Sequence, residues 1–205
     1  QYRIVICVDI SRTMFTLFDS GMPFDRALTI LPTLLRSLVN LRTDVNSFAE
    51  LQLSVIAHCG ETNSTFPVVS NADLRLTTVD ALVNLIRKAL DQLERDYSRR
   101  SKGSTRDLST YIEACCTSLR FMSSNAAPIT FLLSDGSFST SPIACVAALA
   151  HKSVPLNVLI VQSVSPEQWP LGSFEDSDDL KWITEASGGV VWDLRDTNLR
   201  LWPSA

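Results

Sequence analysis

Apolar positions along the chain repeat in two patterns. Residues 3 to 9 form a short apolar run, rich in β-branched side chains and ending in Asp9. Its length excludes a helix of ordinary size and predicts a strand covered on both faces. Similar runs recur at Leu51 to Ala57, Ile129 to Leu133, Leu156 to Val161 and, more weakly, Val190 to Trp192. Helical patterns lie between them. Val79, Leu82, Val83, Ile86, Leu90, Leu93 and Tyr97 trace one helical face, and Leu108, Ile112, Cys115, Cys116 and Leu119 trace a second. Ser141-Pro142 supplies an N-cap and a first-turn proline for a helix reaching about Lys152. Ser177 can cap another helix, which ends at Gly188-Gly189. Residues 24 to 41 also read as helical, with Pro32 expected to kink the helix or restart it. Thr65 to Val69 contains Pro67, which restricts it to an edge strand or a loop.

Strands alternating with helices of ten or more residues imply right-handed crossovers. The result is an α/β domain with a mainly parallel central sheet and helices on both faces. No repeat, low-complexity tract or flexible linker divides residues 1–205, so a single domain is expected.

Composition narrows the functional classes. The 18 basic and 22 acidic residues leave a net charge of −4, which argues against a dedicated nucleic-acid binder. No apolar stretch approaches the roughly 18 residues of a membrane span. Gln1-Tyr2-Arg3 runs directly into the first strand without the basic region or cleavage site of a secretory signal, and the chain reads as a domain excised from a longer protein. The five cysteines, Cys7, Cys59, Cys115, Cys116 and Cys145, all fall inside apolar patterns and read as buried thiols of a reducing compartment. With two histidines, His58 and His151, and no CxxC spacing, a thiolate zinc site is not expected. His58 reads as a satisfied edge or core histidine.

Candidate chemistry lies where two strands end. Asp9-Ile10-Ser11-Arg12-Thr13 and Ser134-Asp135-Gly136-Ser137 each place an aspartate and small hydroxyl residues after an apolar strand. Ligands of open parallel sheets gather at the carboxyl ends of strands, near the point where strand order reverses. If these two strands are neighbours there, Asp9, Ser11, Thr13 and Asp135 converge. Lys102-Gly103-Ser104-Thr105, before a helix starting near Asp107, offers a further hydroxyl. Carboxylates, hydroxyls and water suit magnesium better than zinc. A plainer alternative has Ser11 and Thr13 capping the turn and Asp135 ordering its own loop.

These residues resemble the von Willebrand factor A (vWA) domain. Its metal-ion-dependent adhesion site (MIDAS) uses a DxSxS motif after the first strand, a threonine in a GGT-like loop and an aspartate in an LLTDG-like strand end. The corresponding residues here are Asp9, Ser11 and Thr13, then Thr105, then Asp135 within Leu132-Leu133-Ser134-Asp135-Gly136. The resemblance implies a vWA-like, Rossmann-type three-layer sandwich and a Mg2+ site built from those five residues. Thr13 stands where the motif has its last serine. Arg12 occupies a position the family often gives to glycine, and its guanidinium would oppose a metal if it pointed inward. The opening Gln1 to Ser11, with the following Phe24-Asp25 and leucine-rich helix, is also similar to the amino-terminal region of the large KICSTOR subunit family. That likeness implies a place in a nutrient-signalling (TORC1) complex, cytoplasmic and held at the lysosomal surface through the complex.

Arg95, Arg99, Arg100, Lys102 and Arg106 form a basic cluster around the Thr105 loop. It reads either as a solvated helix end or, with Arg12, as a docking patch for an acidic protein partner. Among enzymes, a haloacid-dehalogenase-like phosphatase would use Asp9 as nucleophile, but the second aspartate of its DxDxT motif is Ser11 here, so the general acid is missing. There is neither a GxGxxG nor a GxxxxGK[ST] loop for a nucleotide, and no GxSxG turn for a serine hydrolase. The sequence therefore favours a non-catalytic interaction module without a small-molecule substrate, nucleic acid or membrane insertion.

Overall fold

The computed structural model describes residues 1–18, 21–45, 50–74, 79–97, 106–123, 125–138, 142–161 and 177–193. Its centre is β1 (Tyr2–Asp9), whose last six residues are all buried. Side chains alternate across a strand. Accordingly Ile4, Ile6 and Val8 enter one apolar cluster, and Val5 and Cys7 enter another on the opposite face. That double coverage explains why the run is apolar at consecutive positions rather than at every second one.

Six strands form the sheet: β1, β2 (Leu51–Cys59), β3 (Ser64–Asp73), β4 (Ala127–Ser134), β5 (Leu156–Ile160) and β6 (Val191–Asp193), in the order β3-β2-β1-β4-β5-β6. All neighbouring pairs are parallel except β2 with β3. Thr65 to Val69 is thus the expected edge strand: Pro67 sits opposite Ile56 on the outermost strand, and the register slips nearby. An edge tolerates the missing ladder donor.

Helices α1 (Pro23–Val45) and α2 (Val79–Tyr97) pack on one face of the sheet. The apolar stripe of α2 behaves as its spacing requires, with Leu82, Ile86 and Leu90 buried. The other face is covered by α3 (Leu108–Arg120), α4 (Pro142–Lys152) and α5 (Ser177–Ala186). Asp107 caps α3 by accepting from the Ser109 amide at 2.9 Å. Pro142 opens α4 as expected; Ser141 lies outside the described residues. Helix α5 stops where Gly188 adopts a φ of +81°, and a side chain on Gly189 would collide with the Leu156 carbonyl.

Of the two outcomes expected at Pro32, a kink or a restart, the restart does not occur: the first helix runs through the proline as one 23-residue element. Buried Leu28, Leu31, Leu34 and Leu35 anchor the helix on both sides of the proline, and their packing offsets the lost hydrogen bond.

Candidate functional site

β1 pairs directly with both β2 and β4. The order of crossovers therefore reverses at β1 and β4, and both strands end on the same edge of the sheet. Asp9 closes β1, and Asp135 follows the last residue of β4. Both are buried, at 0% and 2% exposure. The convergence expected from the two strand ends is present.

What joins them is a side chain. Arg106 reaches in from the segment before α3 and places Nη1 2.8 Å from Asp9 Oδ2 and Nη2 2.7 Å from Asp135 Oδ1. Its guanidinium carbon lies 5.6 Å from the centre of the Phe138 ring. Only 3% of Arg106 is exposed. Burial alone would lower its proton affinity, but the charges of Asp135 and then Asp9 override this and hold its pKa above the usual arginine value. Arg106 is therefore not part of a surface basic patch. Two buried carboxylates recruit it inward, because unpaired buried charge is far costlier than a paired one.

Each oxygen of Asp9 is doubly engaged. Oδ1 accepts from the Ser11 amide at 2.9 Å and from the Tyr111 hydroxyl at 2.8 Å. Oδ2 accepts from Arg106 and, at 2.7 Å, from Ser134 Oγ. Asp135 Oδ1 accepts from Arg106 and from the amide and hydroxyl of Ser137, at 3.0 and 3.1 Å. The plainer sequence reading of Asp135, a carboxylate ordering its own loop, is thus part of the arrangement. Asp135 Oδ2 is buried without a hydrogen-bond partner among the described residues.

Tyr111 on α3 is the second organising residue. Its hydroxyl donates to Asp9 and lies 2.8 Å from Ser11 Oγ, and the Gly60 amide donates to it at 3.2 Å. One donor and two acceptor positions are then all used. Burial, reinforced by Asp9, raises the phenol well above its ordinary pKa and keeps it protonated. A Cβ on Gly60 would stand 2.6 Å from the Tyr111 oxygen, so only glycine lets the ring approach this closely. His58 packs edge-on against Tyr111, with Nδ1 2.8 Å from Thr65 Oγ1 and Nε2 3.1 Å from Thr110 Oγ1. Burial lowers its pKa to about 4, against a smaller upward pull from Asp9. It is the satisfied core histidine that the sequence suggested.

The remaining candidates separate. Ser11 precedes a single 3-10 turn, Arg12–Phe15, yet its hydroxyl does not cap that turn and faces Tyr111 instead. The hydroxyl oxygen of Thr13 is buried with no hydrogen-bond partner among the described residues. Arg12 is exposed, and its backbone amide donates to Glu61 Oε1 at 3.2 Å. Thr105, Arg99, Arg100 and Lys102 lie outside the described residues. Sequence reasoning named Ser134 and Ser137 in the run around Asp135 without giving them a role, and it missed the inward role of Arg106 and the whole contribution of Tyr111 and Gly60.

The described residues of this site do not fit a divalent cation. Magnesium requires close to six oxygen ligands in octahedral geometry. Both oxygens of Asp9 and one of Asp135 are already taken by N–H and O–H donors. A guanidinium spans the space between the two carboxylates. Among the described residues, no group of three or more histidine, cysteine, aspartate or glutamate side chains could hold a metal ion.

No family model matches the chain, and no curated protein matches it either. Solved structures do. The pilus adhesin SpaC from Lactobacillus rhamnosus GG, in its open conformation, aligns over 94% of this chain with a TM-score of 0.59 and 11% identity. The chain spans 28% of the length of that adhesin. The VWA domain of SpRpn10 aligns over 97% of this chain and 90% of its own length, with a TM-score of 0.58 and 11% identity. At such identity the likeness concerns architecture alone: the chain has a vWA-like α/β fold, a six-stranded and mostly parallel sheet between two helical layers.

Proposed function

We propose that this domain is a non-catalytic protein-interaction module of the vWA type, docking its partner at the carboxyl edge of the sheet. The observation that carries this reading is the internal saturation of Asp9. A phosphatase of the haloacid-dehalogenase kind would need that carboxylate to attack phosphorus, yet it has 0% exposure and both oxygens are hydrogen-bonded. A rim that uses its acids to hold itself together offers a shaped surface rather than a reactive group.

Two large apolar side chains support the location. Leu17 follows the 3-10 turn after β1 and is 78% exposed; Ile143 lies in the first turn of the helix after β4 and is 74% exposed. Both stand on segments leaving the same edge, and an apolar centre with a charged rim is the usual composition of a docking surface. Arg12 adds an exposed cation there; Arg99, Arg100 and Lys102, outside the described residues, belong to the basic run of the sequence. These suit an acidic partner.

The finer reading follows the opening Gln1 to Ser11. The partner belongs to a KICSTOR-like nutrient-signalling complex, which would carry the domain to the lysosomal surface without inserting it. No helix among the described residues is long and apolar enough to cross a membrane. Co-elution with the purified remaining subunits of such a complex tests both levels. Leu17→Asp combined with Ile143→Asp should abolish co-elution while leaving the melting temperature unchanged, and reversal of Arg99 and Arg100 to glutamate should weaken it. Undiminished binding by the Leu17/Ile143 variant would put the docking surface elsewhere. Absence of binding by the native domain would remove the nutrient-signalling assignment.

A further inference from the structure

We infer that the guanidinium of Arg106 is the resident cation of this rim, occupying the position between Asp9 and Asp135 where the MIDAS resemblance calls for a metal, so that the rim keeps its shape without a divalent ion. This goes beyond the docking reading and holds whether or not a partner binds.

The arrangement has the electrostatics of a bridged metal site built from a side chain. One cation lies 2.8 Å from an oxygen of the first carboxylate and 2.7 Å from an oxygen of the second. Two of its N–H groups replace two coordination bonds, and the planar fork fixes the separation of the carboxylates much as a bridging ion would. Of the hydroxyls of the DxSxT run, that of Ser11 is turned to Tyr111, while Thr13 Oγ1 is buried and engages no other group among the described residues.

A metal could enter only by displacing this cation. Arginine does not vacate a site by losing its proton, as lysine or histidine can. An incoming dication would therefore meet a permanent positive charge that is itself buried at 3% exposure. Among the carboxylate oxygens of the pair, Asp135 Oδ2 alone has no hydrogen-bond donor from the described residues, and one oxygen is far short of an octahedral shell. The same reasoning excludes docking in which a partner's carboxylate completes the coordination of a metal at this rim.

The test compares the native domain with Arg106→Ala in EDTA and in millimolar Mg2+. The native protein should melt at the same temperature in both and should bind no Mn2+ by electron paramagnetic resonance. Removing the guanidinium leaves two facing carboxylates. The variant should melt well below the native protein in EDTA and regain part of the loss as Mg2+ is added. A native melting temperature that climbs with Mg2+, or one bound Mn2+ that Asp135→Asn removes, would overturn the inference. So would an Arg106→Ala variant that folds but is indifferent to Mg2+, since the guanidinium would then not stand in a cation's place. If that variant fails to fold in either buffer, Mn2+ binding to the native domain decides: none supports the inference, and one ion lost with Asp135→Asn refutes it.

Discussion

The hydroxyl of Tyr111 donates to Asp9 Oδ1 at 2.8 Å, across 102 residues of chain. The same oxygen meets Ser11 and Gly60, so one phenol ties helix α3 to the ends of β1 and β2. Tyr111→Phe keeps the ring and removes that tie. Ser11 Oγ and the Gly60 amide then lose their partner, and Asp9 loses one of its donors. Urea denaturation should show a loss of about 2 kcal/mol, the usual scale for buried polar groups left unpaired.

Gly60→Ala attacks the same contact from the other side. The added Cβ would lie 2.6 Å from the Tyr111 oxygen and 2.7 Å from a ring carbon. Tyr111 is clamped by its hydrogen bonds and cannot yield cheaply. Overpacking of this kind costs on the order of 1–3 kcal/mol. In a Tyr111→Ala background the cost should largely vanish, and a double-mutant cycle measures that coupling.

Arg106 is the largest single liability of the rim. Deleting one partner of a buried ion pair leaves uncompensated charge and costs about 3–5 kcal/mol, so Arg106→Met should lower the denaturation midpoint sharply. Arg106→Lys should lose less. It keeps the charge but lacks the fork that reaches both carboxylates.

His58 should make the domain acid-sensitive. Its pKa falls from 6.5 in a model peptide to about 4 in the fold. The unfolded chain therefore binds a proton first as pH drops, and stability is lost between pH 6.5 and 4 while remaining flat above that window. The depression corresponds to roughly 3 kcal/mol in total. The groups facing the ring are Thr65 from β3, Thr110 and Tyr111 from α3, and Asp9 from β1. Stability measured against pH for the native domain and His58→Gln isolates this contribution, and the variant should show a shallower decline across the same window.

The thiols should be silent in the native state. All five cysteines are buried thiols, none of them joined in a disulfide. Burial pushes the Cys145 thiol up to about 12, with Asp107 adding to the shift. Burial and then Cys115 raise Cys7. A thiolate is the reacting species. Labelling by an aromatic disulfide reagent should be negligible in buffer and should reach five groups in denaturant; fast labelling of any thiol in buffer would contradict this burial.

Local pattern carried much of the architecture. The stripe from Val79 to Tyr97, the doubly apolar run of β1 and the proline of β3 each state an environment through side chains a few residues apart, and burial enforces those spacings. Whether Pro32 divides the first helix depends on how firmly Leu28, Leu31, Leu34 and Leu35 are held, which is a property of packing rather than of sequence. Arg106 misled for a similar reason. A cation beside other cations, just ahead of a helix, reads as solvated until two buried carboxylates are seen within reach.

The sequence by itself determined that Asp9 and Asp135 close two apolar strands, and that a parallel sheet would bring such strand ends to one edge. Only the tertiary structure decided what stands between them. Hydrophobic periodicity records whether a position faces the core, and it is legible over a single turn or strand. Neutralising a buried charge depends on which distant group arrives within about 3 Å. Arg106, 97 residues from Asp9 and 29 from Asp135, arrives there only once β1, β4 and the start of α3 have packed.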